Sequence, residues 1–516
     1  MKTAVALIAA AALSAPLAAQ APAPREGTLR SQQAAVRTLS RALEAHGGYA
    51  RLNAPGFVRG RFRIAQFMPG QEVRPADTTP AASPQPALFI AMTSDATRRT
   101  VVAEIFTSDT ASRPVQRIVR TPSDRFAHRI PTNTIIELEE SQLQRQFRTI
   151  PYLPATLLEA WNRAETLRSL GREMVAGQAC DAITFADAGG AQTTLCVNAR
   201  TGLLDATEVL APNEPFGLDV QRTTFSGYRN EGGLMLPRSA RTTLGGRLAS
   251  EITAQQIAAA ATLDTALLRR PEGANRAPAP PPAPGGAPTP PSSIPVNQIA
   301  PGVFVLQNVT PGYHEMFVDM GDHVVVIEAD GSPSVSESVL RTVNEQLPGK
   351  PVRSVVLTHH HTDHSGGLWT YLARGITVVT TPGNAAFVRS VAAVPHTDGG
   401  GAVAAPQPRI ETVTRRRTLG SGPNAIELLD VGPNPHAEEI LVAYLPGRKL
   451  LYVPDIYGYS PNFQPPEMLV SFANALAPLG LDIETFVTAH TDPTTRAQYD
   501  AGVARARAAV RPAGGQ

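Results

Sequence analysis

Four side chains that can bind a metal ion fall within six consecutive positions of the chain: His359, His361, Asp363 and His364. They follow the apolar run 355–357, which predicts the end of a buried strand, and they lead into a predicted helix at 365–373. His359 and His361 are two residues apart, so in extended backbone both point to the same side. Imidazoles and a carboxylate are the ligands of catalytic zinc sites, where one position stays open for water. A surface histidine cluster or a purification tag would not lie between a hydrophobic strand and a helix, so the stretch predicts a metal site.

Three further candidate ligands each follow a predicted strand in the same part of the chain: His436, Asp455 and His490. Any one of them alone is more typical of a solvated loop. In layered α/β proteins, however, the loops beyond the carboxyl ends of strands converge on the functional site. We therefore expect the three to join the first cluster. His360, which lies between two of the clustered histidines, is predicted to point away from the metal and to support its neighbours by packing or hydrogen bonding.

Taken in order, these residues resemble the ligand set of the metallo-β-lactamase superfamily, and the resemblance extends from about residue 298 to the C-terminus. It implies an α/β fold, the αβ/βα sandwich of two sheets flanked by helices, with the metal site at one edge. It also implies two zinc ions as cofactors, with iron or manganese as alternatives. The implied ligands of the first ion are His359, His361 and His436, those of the second are Asp363, His364 and His490, and Asp455 bridges the two ions.

The resemblance implies a hydrolytic reaction. Two zinc ions that share a water molecule acidify it, and the hydroxide formed near neutral pH attacks an electrophilic carbonyl. Asp455 stands where one β-lactamase class has cysteine, which favours the broader groups of dinuclear hydrolases. An ester, thioester, lactone or lactam is therefore expected as substrate, and the sequence does not discriminate among them. Asp363 is predicted to be a ligand first and a catalytic proton acceptor second.

Several residues near the predicted ligands depart from the superfamily or leave alternatives open. Glu328 stands where aspartate is frequent, and it is expected to change a contact around the ligands without abolishing the fold. Thr491 replaces the glycine that often follows the last histidine. His314 is predicted to have a structural role. Tyr457 and Tyr459 are equally consistent with substrate contact and with packing.

The overall charge of the chain argues against one class of partner. Among 516 residues, 46 are basic and 44 acidic, which leaves a formal net charge of +2. No long basic run interleaved with aromatic residues is present, so nucleic acid is not an expected partner. A small-molecule substrate is expected instead. The sequence does not indicate an oligomeric state.

Residues 1–21 have the pattern of a cleaved secretory signal. A basic start is followed by the apolar run 4–17 and by small-x-small patterns at 19–21 and 17–19. The run is too short to span a membrane comfortably, and no other stretch is apolar enough to do so. After cleavage, no integral membrane segment is expected. The protein is predicted to be exported by a bacterium, to the periplasm or the medium.

The two cysteines of the chain, Cys180 and Cys196, flank a predicted β-hairpin. A hairpin centred on Ala188 would place the two sulfurs directly opposite each other, at a separation that a disulfide can close. Export to an oxidising compartment favours the disulfide over two buried free thiols.

A proline-rich linker, residues 277–295, is predicted to separate two domains. Residues 22–276 predict a helix at 32–46 followed mainly by antiparallel strands, and residues 296–516 alternate strand and helix patterns. The stretches 201–203, 225–229 and 232–237 resemble periplasmic lipoprotein-carrier domains, which implies a curved sheet that holds a helix. His46 and His128 are isolated in this region, where structural roles are expected.

Two alternatives to a zinc hydrolase are open at this stage. The N-terminal domain could bind a lipid or another apolar ligand, with the metal domain as an accessory. The complete set of candidate ligands argues against an accessory role. The metal site could instead hold iron for redox chemistry. Members of the superfamily with that chemistry carry a flavin domain, and no such domain follows here.

Overall fold

The structure is a computed structural model of the whole chain. It describes residues 26–54, 56–77, 81–82, 87–95, 100–138, 153–187, 190–277, 293–397, 402–403, 407–458 and 464–510. The predicted secretory signal, most of the predicted linker and Tyr459 lie outside these residues. Among the described residues, no helix combines the length and the apolar character needed to cross a membrane.

An extensive β-sheet dominates the N-terminal region. Its strands, with the short hairpin β13–β14, are β1 (Phe57–Met68), β2 (Ala81–Ala82), β3 (Leu88–Asp95), β4 (Thr100–Phe106), β5 (Gln116–Arg120), β6 (Arg125–Arg129), β7 (Thr134–Glu137), β8 (Arg168–Val175), β9 (Gln178–Ala186), β10 (Gln192–Asn198), β11 (Leu204–Pro212), β12 (Leu218–Ser226), β13 (Arg229–Glu231), β14 (Leu234–Leu236), β15 (Ser239–Leu244), β16 (Arg247–Ala261) and β17 (Asn275–Arg276). The 15-stranded sheet has the order β17-β7-β6-β5-β4-β3-β1-β16-β15-β12-β11-β10-β9-β8, with β2 beside β1. Its pairs are antiparallel except β17–β7. The prediction of a mainly antiparallel β region is confirmed.

A long amphipathic helix packs on this sheet. The helices of the region are α1 (Glu26–Ala45), α2 (Tyr49–Leu52) and α3 (Leu153–Asn162). On α1, Ala35, Leu39 and Ala42 recur at helical spacing and are fully buried. They share one hydrophobic core with inward-facing sheet residues such as Phe62 and Ile183. The predicted first helix is therefore confirmed, and it begins six residues earlier than expected.

The predicted disulfide between Cys180 and Cys196 is confirmed, with the two Cα atoms 5.5 Å apart. The predicted register is wrong, because Cys180 pairs with Asn198 and Cys196 pairs with Ala182. The ladder is centred one residue later than Ala188, and such a shift moves each pairing by two residues. Side chains two residues apart lie on the same face of a strand, so the cysteines remain diagonal neighbours within reach of each other.

We expect the disulfide to stabilise the N-terminal domain by about 3 kcal/mol, because it closes a loop of roughly 15 residues in the unfolded chain. The Cys180→Ser/Cys196→Ser variant should show this loss of unfolding free energy in a denaturant titration. A reducing agent should destabilise the wild type to the same extent and leave the variant unchanged. Equal stability of the oxidised wild type and the variant would contradict this expectation.

The described part of the C-terminal region contains two large sheets, the two-stranded sheet β24–β25 and their helices. Its strands are β18 (Val296–Ala300), β19 (Val303–Leu306), β20 (Glu315–Asp319), β21 (Val324–Ile327), β22 (Val352–Val356), β23 (Thr377–Thr380), β24 (His396–Thr397), β25 (Ala402–Val403), β26 (Ile410–Thr412), β27 (Arg416–Leu419), β28 (Ile426–Asp430), β29 (Leu441–Leu445), β30 (Leu450–Val453), β31 (Thr485–Thr488) and β32 (Thr494–Thr495). Its helices are α4 (Pro333–Gln346), α5 (Thr362–Ser365), α6 (Leu368–Ala373), α7 (Pro382–Ala393), α8 (Pro466–Leu476) and α9 (Arg496–Ala509). One sheet has the order β18-β19-β20-β21-β22-β23-β26, and the other β27-β28-β29-β30-β31-β32.

Three hydrophobic cores stack these elements into four layers. Residues of β19–β23 meet residues of β28–β31 in a core between the two sheets. A second core joins the outer face of the first sheet to α4, α6 and α7, and a third joins the second sheet to α8 and α9. Along β19, Val303 and Val305 face the other sheet while Phe304 and Leu306 face the helices. This αβ/βα sandwich confirms the fold predicted for the C-terminal region.

The turn that carries the histidine cluster differs from the prediction. Helix α5 begins at Thr362, three residues before the expected start, so Asp363 and His364 lie within a single helical turn. Gly366 and Gly367 separate this turn from α6 because the backbone of the 329–332 loop and helix α4 press against them. A Cβ at Gly366 would lie 2.0 Å from the Gly331 carbonyl oxygen, and one at Gly367 would lie 2.0 Å from a serine hydroxyl of α4. The glycines therefore allow the close packing that fixes the turn.

Candidate metal centre

All of the predicted ligands lie together at one edge of the sandwich, in two groups that share one carboxylate. The first group is His359, His361, His436 and Asp455, and the second is Asp363, His364, Asp455 and His490. Within each group, the potential ligand atoms lie within 4.8 Å of one another. The two groups match the two ligand sets implied by the sequence resemblance.

The carboxyl ends of strands in both sheets position these side chains. His359 and His361 follow β22 in the first sheet, and the α5 turn comes directly after them. In the second sheet, Asp455 follows β30 and His490 follows β31, and the two strands run parallel, so their ends meet at the same edge. His436 comes from the loop after β28. There the Asn434 amide oxygen accepts the backbone N–H of His436 and the Asn434 amide nitrogen donates to the Met468 carbonyl.

In the first group, the ring nitrogens of three histidines converge. Nε2 of His359 and Nε2 of His436 lie 3.0 Å apart. Nε2 of His361 donates to the backbone carbonyl of Glu72 at 3.0 Å, because a carbonyl can only accept, so Nδ1 of that ring is unprotonated. Among the described residues, the buried Nδ1 has no hydrogen-bond partner. Nδ1 of His361 thus has a buried lone pair close to other ring nitrogens, and a cation bound among them would give it a partner.

Asp455 faces both groups, one with each oxygen. Its Oδ1 lies 2.5 Å from Nε2 of His490 and 2.7 Å from Nε2 of His364. Its Oδ2 lies 3.2 Å from Nε2 of His436. The carboxylate is buried, with 5% of its side-chain surface exposed. This geometry suits a carboxylate that bridges two cations.

Hydrogen bonds on the far side of each ring fix which nitrogen is free. Nδ1 of His490 donates to the carbonyl of Gly312 at 3.3 Å, and Nδ1 of His364 lies 3.2 Å from a carboxylate oxygen of Glu328. The hydroxyl of Thr358 donates to Glu328 at 2.7 Å and accepts from Nδ1 of His359 at 3.0 Å. In each case Nε2 is left toward the centre, which is how metal-binding histidines are commonly held.

Glu328 is the departure from the superfamily pattern, and the structure shows what it does. Its carboxylate is buried and contacts both His364 and Thr358, so one side chain orients a ring of each group. Its backbone has φ 84°, an uncommon conformation for a residue with a side chain. The fold is retained, as the sequence predicted.

We expect Thr358→Val to weaken metal binding at the first group by about 10- to 100-fold, the usual effect of removing a group that orients a ligand. The isosteric change leaves Nδ1 of His359 without its acceptor and so releases the ring orientation. Thr380→Val is the matched control, because Thr380 is equally buried and bonds a backbone carbonyl without touching a ligand. Competition with a chromophoric chelator measures the zinc affinity of both variants. Equal zinc affinities in the two would contradict the role of Thr358.

Burial favours the neutral form of two histidines of the first group, His359 and His361. It lowers the pKa of His359 and of His361 well below the ordinary value, and the neighbouring imidazoles lower both further. Burial also lowers the pKa of His360 to about 4. Neutral imidazoles are the form that binds metal.

The second group contains a charged pair. Burial acts to lower the pKa of His364, but the surrounding carboxylates, Asp455 above all, outweigh it and raise that pKa well above its ordinary value. Burial acts to raise the pKa of Asp455, but His364 and His490 outweigh it and hold that pKa well below its usual range. The carboxylate of Asp455 is therefore ionised, as a metal ligand must be.

The other residues singled out in the sequence have structural contacts. His360 belongs to neither metal group, and its ring packs near Phe387. Nδ1 of His314 accepts the backbone N–H of Asn308, which is a structural contact as predicted. Tyr457 is buried in the core of the second sheet and its hydroxyl pairs with Thr494, so packing is its role. After His490, the Thr488 hydroxyl closes the loop on the backbone of Thr491.

The sequence analysis missed several residues in contact with the candidate ligands, and Thr358, described above, is one of them. The hydroxyl of Tyr313 donates to Oδ2 of Asp363 at 3.2 Å, and its ring packs against His490 with centroids 4.5 Å apart. Gln71 and Glu72, from the N-terminal region, contact Asp363 and His361. The side chain of Gln71 carries no metal signal and Glu72 acts through its backbone carbonyl, and both residues are nearly 300 positions from their partners along the chain. The order Gly312-Tyr313, beside the predicted His314, was the available hint for Tyr313.

The comparisons with known proteins agree with this site. Residues 316–490 match the family model described as the Metallo-beta-lactamase superfamily, a stretch that includes all of the clustered ligands. The C-terminal domain therefore belongs to the metallo-β-lactamase superfamily, and it is the domain of a metal-dependent hydrolase. A search of curated proteins finds no match to the chain.

Several metallo-β-lactamases are among the solved structures that are similar to part of this chain. DIM-1 metallo-beta-lactamase shares 14% identity, with 42% of this chain and 98% of that chain covered and a TM-score of 0.35. FIM-1 from Pseudomonas aeruginosa, in its mono-zinc form, shares 14% identity over 43% of this chain and 97% of that chain, with a TM-score of 0.34. The enzyme from Pontibacter korlensis shares 18% identity over 42% and 99%, with a TM-score of 0.34.

Proposed function

We propose that the protein is an exported, dinuclear zinc-dependent hydrolase that acts on an ester, thioester, lactone or lactam. The single observation that carries the proposal of two ions is the position of Asp455, with one oxygen toward each group of histidines. A site for one ion would not need a second cluster of three further ligands around the other oxygen. The donor set of imidazoles and carboxylates suits zinc, and it also accepts iron or manganese.

Each side chain of the site has a distinct task in this proposal. His359, His361 and His436 would hold the first ion, Asp363, His364 and His490 the second, and Asp455 both. When bound, the ions would lower the pKa of a water molecule and polarise the substrate carbonyl. Asp363 is 21% exposed, more than the buried histidine beside it, and its carboxylate is thus placed to accept a proton at the open side of the site. Tyr313 and Gln71 hold the two oxygens of that carboxylate.

Hydrolysis of a substrate panel tests the reaction class. Protein reconstituted with zinc is incubated with representative lactones, thioesters, esters and β-lactams, before and after treatment with a chelator. We expect turnover of at least one class, loss on chelation and recovery on addition of zinc. Asp363→Ala and His436→Ala, one ligand from each group, should both remove the activity. Retained hydrolysis in both variants would overturn the proposed site.

The proposed export has its own test. The pattern of residues 1–21 supports cleavage and release into the periplasm or the medium. The disulfide is in keeping with that destination, since such bonds persist in oxidising compartments. Expression of the full chain in a bacterium, followed by fractionation and mass measurement, should give periplasmic or secreted protein that lacks the signal. Full-length protein in the cytosol alone would contradict export.

A further inference from the structure

A segment of the N-terminal region, residues 69–77, lies against the metal centre of the C-terminal domain. It follows β1 and touches both loops that carry ligands of the first group. Four hydrogen bonds join this segment to the described C-terminal residues: Gln71 Nε2 to Asp363 Oδ1 at 2.6 Å, His361 Nε2 to the Glu72 carbonyl at 3.0 Å, Glu438 N to the Val73 carbonyl at 2.9 Å, and Arg74 Nε to Glu438 Oε2 at 2.6 Å. Two of the four reach candidate metal ligands directly.

The segment is also held in shape by its own domain. The carboxylate of Glu72 is buried, accepts the backbone N–H of Gly70 at 2.9 Å and pairs with Nη1 of Arg247 at 3.2 Å. Nη2 of the same arginine donates to the carbonyl of Pro75 at 2.9 Å. Because Arg247 belongs to β16, these contacts tie the segment to the large sheet.

The two regions are in close contact at Gly70. Gly70 has φ 85°, and a Cβ added to it would lie 2.3 Å from a side-chain carbon of Thr362, the first residue of α5. A second contact fixes the relative orientation, since Phe216 of the N-terminal region packs edge-on against Phe387 of α7 with centroids 5.7 Å apart. The N-terminal region therefore contacts the metal domain both at Gly70 and at Phe216.

We infer that Gln71 is a positioning residue for the second metal and that segment 69–77 makes the N-terminal domain a structural part of the metal centre. The inference rests on the proposed dinuclear site. With Gln71 on one oxygen and Tyr313 on the other, the carboxylate of Asp363 cannot rotate freely. A ligand fixed in advance loses less conformational entropy when it binds, so the metal affinity is higher. The carbonyl of Glu72 also prepares a ligand, because it accepts a hydrogen bond from Nε2 of His361 and so leaves Nδ1 of that ring unprotonated.

Zinc affinity of full-length variants tests the inference. Gln71→Leu keeps the approximate size of the side chain and removes the donor. We expect it to bind the second zinc about 10- to 100-fold more weakly and to leave the first zinc nearly unchanged. Arg74→Ala is the matched control, because it removes an exposed ion pair from the same segment without touching a ligand, and such pairs contribute little. A chelator competition that resolves two binding steps provides the measurement.

A second variant tests the seating of the segment without altering Gln71. Gly70→Ala should push the backbone away from Thr362 and also weaken the second zinc step. Unchanged affinity in both Gln71→Leu and Gly70→Ala, or an equal loss in Arg74→Ala, would overturn the inference. If the variants gave such a result while the wild-type protein still bound two zinc ions, only the inference would fail and the proposed function would stand. Wild-type protein that binds no zinc would instead overturn the proposed function itself.

Discussion

Asp455→Ala is expected to abolish binding of the second zinc ion, weaken binding of the first and reduce hydrolysis strongly. Its two oxygens serve the two groups of histidines, so one substitution damages both. If the transition state loses several kcal/mol of the stabilisation that the metal ions provide, kcat/KM falls by about a thousandfold or more. Zinc content and kinetics on the best substrate of the panel measure the two effects.

Two further variants separate this bridging role from general damage. His490→Ala removes a ligand of the second group alone, so it should cost the second zinc and spare the first. Asp319→Ala removes a carboxylate that pairs with Lys350 and belongs to neither group, so it should change neither zinc content nor kinetics. If Asp455→Ala retained two zinc ions per chain, the bridging role would be wrong.

Zinc is expected to raise the thermal stability of the C-terminal domain strongly. An ion that binds only the folded state at a thousand times its Kd adds about 4 kcal/mol to the free energy of unfolding. For a domain of this size, that is a rise in Tm of roughly 8 to 16 °C. The effect should be large here because the buried ligand atoms, such as Nδ1 of His361, gain a partner only from the ion. Calorimetry with and without a chelator gives the shift.

The N-terminal domain provides an internal control for that experiment. Its main hydrophobic core is separate from those of the metal domain, so its own unfolding transition should move less than that of the metal domain when zinc is removed. Asp455→Ala should abolish most of the zinc-dependent shift, which is measured for each protein as the difference between its own zinc-loaded and zinc-free transitions. A shift of the same size in this variant would mean that zinc stabilises the protein from another site.

The sequence predicted the ligands because their signals are local. Four candidate ligands fall within six consecutive positions and three others follow strands, and both signals are visible in short windows. Strand and helix patterns likewise predicted the layered fold of the metal domain. The start of α5 was misplaced because tertiary packing decides it: the backbone N–H of Ala329 donates to the carbonyl of His364, and Gly367 donates back to Ala329. No local pattern carries that information.

The residues that the sequence could not predict act over long distances. Gln71 and Asp363 are 292 positions apart, and the glutamine side chain has no type-specific link to metals. The register of the cysteine hairpin depends on how many residues the turn takes up, and the prediction centred the hairpin one residue too early. In both cases the decisive contact forms between elements whose relative placement only the folded chain determines.

The number of zinc ions bound per full-length chain tests the central claim most directly. Metal-free protein is titrated with zinc against a competing chelator, and the bound metal is then counted by elemental analysis. The two groups joined through Asp455 predict two ions per wild-type chain and one in His490→Ala. A wild-type chain that saturates with one ion, or binds none, would contradict the dinuclear centre.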